Sequence, residues 1–69
     1  MTEIVFLAEE DVEGGYTARA VGESIFTQAE DEQGLREMIR DAVLCHFPNE
    51  STRPRVVRVH WVRDEVMAL

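Results

Sequence analysis

The chain has 69 residues, one cysteine and a formal net charge of −7, from 14 acids against seven bases. A chain this short makes one domain, residues 1–69, and buries only about 60% of its unfolded surface. Cys45 stands alone, which excludes an internal disulfide, and no apolar run approaches the roughly 20 residues that cross a bilayer. A lone cysteine and no basic-then-apolar leader lead us to expect a reducing, cytoplasmic setting.

The charge is unevenly spread. Residues 1–34 hold nine acids and only Arg19 as a base, whereas residues 35–69 hold five acids and six arginines; lysine is absent. Surplus acid repels nucleic acid and attracts basic partners, so direct nucleic-acid binding is not expected.

Residues 3–9, EIVFLAE, form a compact apolar run of strand-forming residues. Gly14-Gly15 follow, and two successive glycines allow positive φ, so we expect a hairpin corner entering the next strand with a bulge. A dinucleotide cradle would need a third glycine and a helix directly after the loop; here a strand follows, and the loop acids would repel phosphate. Residues 16–21 alternate Tyr16, Ala18 and Ala20 against Thr17, Arg19 and Val21, which marks a strand with one packed face. Gly22-Glu23, glycine first, suits a two-residue turn into a third strand over 24–29. Asp31 caps a helix in which Leu35, Met38, Ile39, Ala42, Val43 and His46 share a face and Gly34 is a weak point. Pro48 ends the helix, and residues 55–63 alternate as a fourth strand, with Val57, Val59 and Trp61 on one side.

The order β-β-β-α-β with a right-handed crossover predicts an α+β, two-layer fold. We expect a four-stranded mixed sheet of order 3-2-1-4, with the fourth strand parallel to the first and the helix on one face. Ala8, Ala18 and Ala20 let the helix approach, with Tyr16, Ile25 and Trp61 beside them. The opposite face presents Val5, Leu7, Val21, Phe26, Val56 and Val62, mixed with Arg19, Arg58 and His60. One helix cannot cover both faces, and an exposed apolar patch marks an interaction surface, so a homodimer is expected.

Three blocks carry a family resemblance. Glu13-Gly14-Gly15-Tyr16 with Ala18 resembles an E-x-G-G-Y-x-A motif. Thr27-Gln28, with Asp31 at the capping position, resembles a second block, T-Q-G-D-T. Glu37, Ile39, Arg40 and Ala42 match a helix of the type L-E-N-I-R-E-A-I. In order and spacing these resemble the N-terminal domain of the HicB antitoxins over roughly residues 3–45. The resemblance implies a truncated ribonuclease-H-like fold that binds a toxin; with the acidic charge, the expected partner is basic, such as a toxin ribonuclease. The family's P-x-L-P-G segment between its second and third strands is replaced here by a tight turn. Without a helix-turn-helix or ribbon-helix-helix extension, DNA binding is not implied.

The residues that would meet such a partner are the hairpin acids Glu9, Glu10, Asp11 and Glu13, presented by Gly14 and Gly15, with Gly22 shaping the second turn. No cofactor, metal or catalytic residue is expected: the first strand has no acid at its centre, as a two-metal nuclease would need. Cys45 and His46, adjacent on a helix, point apart and do not make a nucleophile pair. Arg53, Arg55, Arg58 and Arg63 form the one basic cluster in sequence, and Trp61 is read as core. The expected function is a non-catalytic protein-binding module. The alternatives are a dimeric scaffold without a toxin and, more distantly, a vestigial metal-dependent nuclease.

Overall fold

Ile4, Phe6 and Ala8 set the plan of the molecule. They alternate along β1 (Glu3–Glu10), all point to one side, and all are buried, Phe6 and Ala8 completely. In the computed structural model, which describes residues 2–69, β1 is an inner strand. It pairs antiparallel with β2 (Tyr16–Ala20) and parallel with β4 (Val56–Val62), and β2 pairs antiparallel with β3 (Phe26–Ala29). The sheet is four-stranded in the order β3-β2-β1-β4, as the connection rules predict. The register places Ala18, Ala20 and Thr27 on the same side as Phe6, and Ile25, just before β3, is buried with them.

The helix α1 (Glu32–His46) lies on that side and completes the α+β fold. Asp31 caps it from an extended conformation, its Oδ1 accepting the Gly34 N–H. That contact explains the glycine inside the first turn. A Cβ on Gly34 would sit 2.9 Å from Asp31 Oδ1 and 3.4 Å from the Ala29 Cβ, so the missing side chain makes room for the cap. At the other end Phe47 N–H donates to the Val43 carbonyl, and Pro48 stops the helix. Arg53 Nε and Nη2 donate to the carbonyls of Phe47 and Pro48 at 3.0 and 3.2 Å and hold the exit loop.

The buried stripe of the helix is Leu35, Ile39 and Val43, spaced i, i+4, i+8. Burying each such side chain stabilises by roughly 1.5–3 kcal/mol. The stripe is narrower than its sequence pattern: Met38 is exposed and so is His46. Met38 lies on the flank turned away from β4, and His46 reaches out to Glu23 at the β2–β3 turn. The helix packs on β3 and β2 and makes no backbone approach to β4.

Trp61 is therefore not core. It pairs with Ala8 from the uncovered edge strand, and the residue stays 36% exposed. It is held edge-on to Tyr16, with ring centroids 5.9 Å apart, while the Arg36 guanidinium carbon lies 5.7 Å from the ring centroid. Thr27 is buried with its Oγ1 unpaired among the described residues, a local cost of about 1–3 kcal/mol.

The second hairpin is centred on Gly22-Glu23, but strand pairing stops earlier than the pattern predicts. Ala20 N–H donates to the Ile25 carbonyl, and Ile25 N–H turns back to Glu23. Residues after Val62 form neither strand nor helix. No helix among the described residues is long and apolar enough to cross a membrane.

Candidate functional site

The β1–β2 reversal is built by its own residues. Asp11 N–H donates to the Gly15 carbonyl and Gly14 N–H to the Asp11 carbonyl, while Asp11 Oδ1 accepts the Glu13 N–H at 2.9 Å. Asp11 is thus partly spent on the turn, as short carboxylates commonly are. Gly14 and Gly15 both have positive φ, +101° and +79°. Gly15 is doubly required, because a Cβ there would sit 2.8 Å from the Ala29 carbonyl oxygen at the end of β3. The predicted bulge is not formed: the pairing runs without a skip from Phe6–Ala20 to Glu10–Tyr16.

Against that glycine floor lies an open polar depression of about 620 Å³. Its acids are Asp11, Glu13 and Glu30, and its wall is Thr17, Gln28 and Ala29. Glu30 comes from the β3–α1 junction; the signal for it was the Gly15–Ala29 approach, which no sequence spacing records. Glu9 and Glu10, expected to meet the partner together with Asp11 and Glu13, do not line this depression. Being adjacent on a strand they face opposite sides of the sheet, Glu9 with Val62 on the helix-free face and Glu10 opposite Tyr16 on the other. The first hairpin therefore carries two separated acids on its strand and a compact acidic group at its tip.

The helix-free face carries the residues expected there. Val5 and Leu7 are half-buried in its centre, and Val21, Phe26, Val56 and Val62 stand exposed around them, Phe26 at 64%. Arg58 is on this face but engaged: its Nε and Nη2 both reach Glu3 Oε1 at 3.1 Å. His60 is exposed beside Leu7.

The arginines of the second half do not form one cluster. Arg53 staples the loop after α1, Arg58 pairs with Glu3, and Arg63 follows β4, because alternate strand positions face opposite ways. Arg55 joins instead with Arg36, Arg40 and Arg53 around an apolar groove of about 370 Å³ between α1 and β4. Sequence reasoning missed this groove, since its walls are distant in the chain. Among the described residues no three His, Cys, Asp or Glu side chains are grouped so as to hold a metal ion. Cys45 is exposed, and His46 reaches Glu23 with Nε2–Oε2 3.4 Å while stacking edge-on against Phe47.

Four strands in the order β3-β2-β1-β4, one helix and an acidic tip on the first hairpin define a small α+β domain. Two relatives specify it further. The chain is 43% identical to a UPF0150 protein of Thermotoga maritima over 67 residues, covering 97% of this chain and 93% of that one. It is 55% identical to a UPF0150 protein of Archaeoglobus fulgidus over 53 residues, 77% of each chain. The chain belongs to the UPF0150 family. No family model and no solved structure matches it.

Proposed function

We propose that this protein is a non-catalytic binding module of the HicB type, whose acidic hairpin tip engages a basic protein partner such as a toxin ribonuclease. The observation that carries this reading is the convergence of Asp11, Glu13 and Glu30 around the Gly14-Gly15 floor, in a depression without a basic residue in its lining. A partner that uses arginines and lysines to hold RNA would present those groups to the acids, and occupation of the tip would block its RNA surface. Rim charges of this kind act chiefly on encounter rate. The Glu13-Gly14-Gly15-Tyr16 and Thr27-Gln28 blocks, similar to HicB, lie in and beside this depression. Catalysis is not part of the reading, since the inner stretch Ile4–Ala8 of β1 carries no acid.

The test is affinity capture with the full chain from its native cell, identification of any short basic protein retained, and on-rate measurement with that protein purified. Glu13→Gln with Glu30→Gln should slow association about tenfold at low salt and flatten its salt dependence. Equal on-rates for the two forms, or the absence of any basic protein partner, would overturn the reading. A dimeric scaffold without a toxin is the second reading, favoured by the exposed apolar residues Val21, Phe26, Val56 and Val62 on the helix-free face. It is distinguished by Phe26→Asp, which should abolish self-association only if that face is the contact.

A further inference from the structure

The groove between α1 and β4 lies across the sheet from the acidic tip and is independent of the antitoxin reading. Its floor is Ile39 and Val43 from the helix with Val57 and Val59 from β4, and Arg40 and Arg55 stand on its rim. Two other rim arginines are already engaged: Arg36 with Glu32 at 3.6 Å and against Trp61, and Arg53 with two backbone carbonyls. Arg40 and Arg55 have no carboxylate partner among the described residues. An apolar slot with two uncommitted guanidiniums on its lip suits a segment that is acidic and then apolar.

The chain holds such a segment: Asp64-Glu65-Val66-Met67-Ala68-Leu69. Val66 is 95% exposed and Met67 75%. The segment projects from the domain rather than folding over it. The Cα radius of gyration is 13.4 Å and the longest dimension 52 Å; a compact domain of this length has a radius of gyration of about 11 Å.

We propose that residues 64–69 of one copy dock in the α1–β4 groove of a second copy, and reciprocally, forming a two-fold dimer by tail exchange. In an extended segment Glu65, Met67 and Leu69 share one side. Running antiparallel to the partner's β4, as reciprocal two-fold exchange requires, the segment lays Met67 and Leu69 over Val59 and Val57 and brings Glu65 to the Arg40 side of the rim, with Arg55 at the far end of the groove. β4 is an edge strand, so its outward backbone groups are open to an added strand, which supplies main-chain hydrogen bonds to the docked segment. A second copy is favoured over the chain's own segment by position. The floor residues Val57 and Val59 pair with Ile4 and Phe6 near the start of β4, whereas the segment leaves from Val62, opposite Glu9. Returning would require a tight reversal at once, for which residues 63–69 offer Asp64 but no glycine, proline or asparagine. Each copy gives and receives one segment, so the contact closes and does not propagate.

The experiment is a charge-swap pair read by sedimentation equilibrium. The variant with Arg40→Glu and Arg55→Glu and the variant with Asp64→Arg and Glu65→Arg should each keep the far-ultraviolet spectrum of the parent, since all four positions are exposed. Each alone should weaken self-association about tenfold or more. Their equimolar mixture should restore a heterodimer, because each groove then meets a segment of opposite charge. Met67→Asp should weaken association without rescue in the mixture. The proposal is overturned if the parent chain is a monomer at high micromolar concentration, which includes docking of the segment in its own groove. It is equally overturned if both charge variants dimerise as the parent does, or if the mixture shows no rescue.

Discussion

The β1–β2 tip and the β4 edge of this sheet carry opposite charge and were made by opposite means. At the β1–β2 tip, Asp11, Glu13, Gly14 and Gly15 are neighbours in the chain, and Glu30 is the single residue brought from elsewhere. At the β4 edge, Arg36 and Arg40 come from the helix and Arg53 and Arg55 from the loop that leads into β4. A protein with net charge −7 thus keeps a basic-rimmed groove, because the segregation is spatial and the sum hides it. The difference teaches where function can be read from a chain. A site made of one turn is visible as a motif, whereas a site made where two elements fail to meet is not.

The largest expected effect falls where the groove and the core share a side chain. Ile39 is 2% exposed and also floors the groove. Ile39→Ala should destabilise the fold by about 2–5 kcal/mol, which urea denaturation would show as a lower midpoint at unchanged slope. A loss under about 1 kcal/mol would mean that the groove relaxes to fill the cavity and is not a fixed counterpart of the acidic tip.

The acidic tip should respond next. Gly15→Val places a side chain at φ +79° and 2.8 Å from the Ala29 carbonyl, and should cost about 2 kcal/mol or more. Gly14→Val has φ +101° but open space around it, so its cost should be the conformational part alone, about 1–2 kcal/mol. Thermal unfolding of the two variants separates strain from collision; equal losses would show that the β3 carbonyl moves aside freely.

The smallest expected effect has the opposite sign. Thr27 lies under the helix with an unpaired hydroxyl, and Thr27→Val keeps the shape while removing the buried polar atom. Stability should rise by about 1 kcal/mol, seen as a higher thermal midpoint. A fall would show that the hydroxyl has a partner in solution, an internal water being the obvious one.

Much of the fold was legible because it rests on short-range rules. Alternation in β2 and the small side chains of Ala8, Ala18 and Ala20 placed these three alanines on the helix side, where they are buried. Asp31 marked the start of α1, and the handedness of the crossover left β4 only the place beside β1. The glycine pair was legible as a corner requiring positive φ, which both residues adopt. Side-chain alternation, capping geometry and the chirality of connections are properties of the chain itself, so they hold wherever the chain goes.

Tertiary structure alone decided how far sideways the helix sits. Its position over β2 and β3 leaves β4 uncovered, strips Trp61 of core burial and opens the arginine-rimmed groove. It also brings Glu30 to the hairpin tip through the approach of Gly15 to Ala29, and it turns Arg53 and Arg58 away from each other. Hydrophobic periodicity records which face of an element is apolar and carries no information on the lateral offset between layers. That offset is settled by packing volumes, here by three small alanines under the helix and by the Asp31–Gly34 cap that seats its first turn.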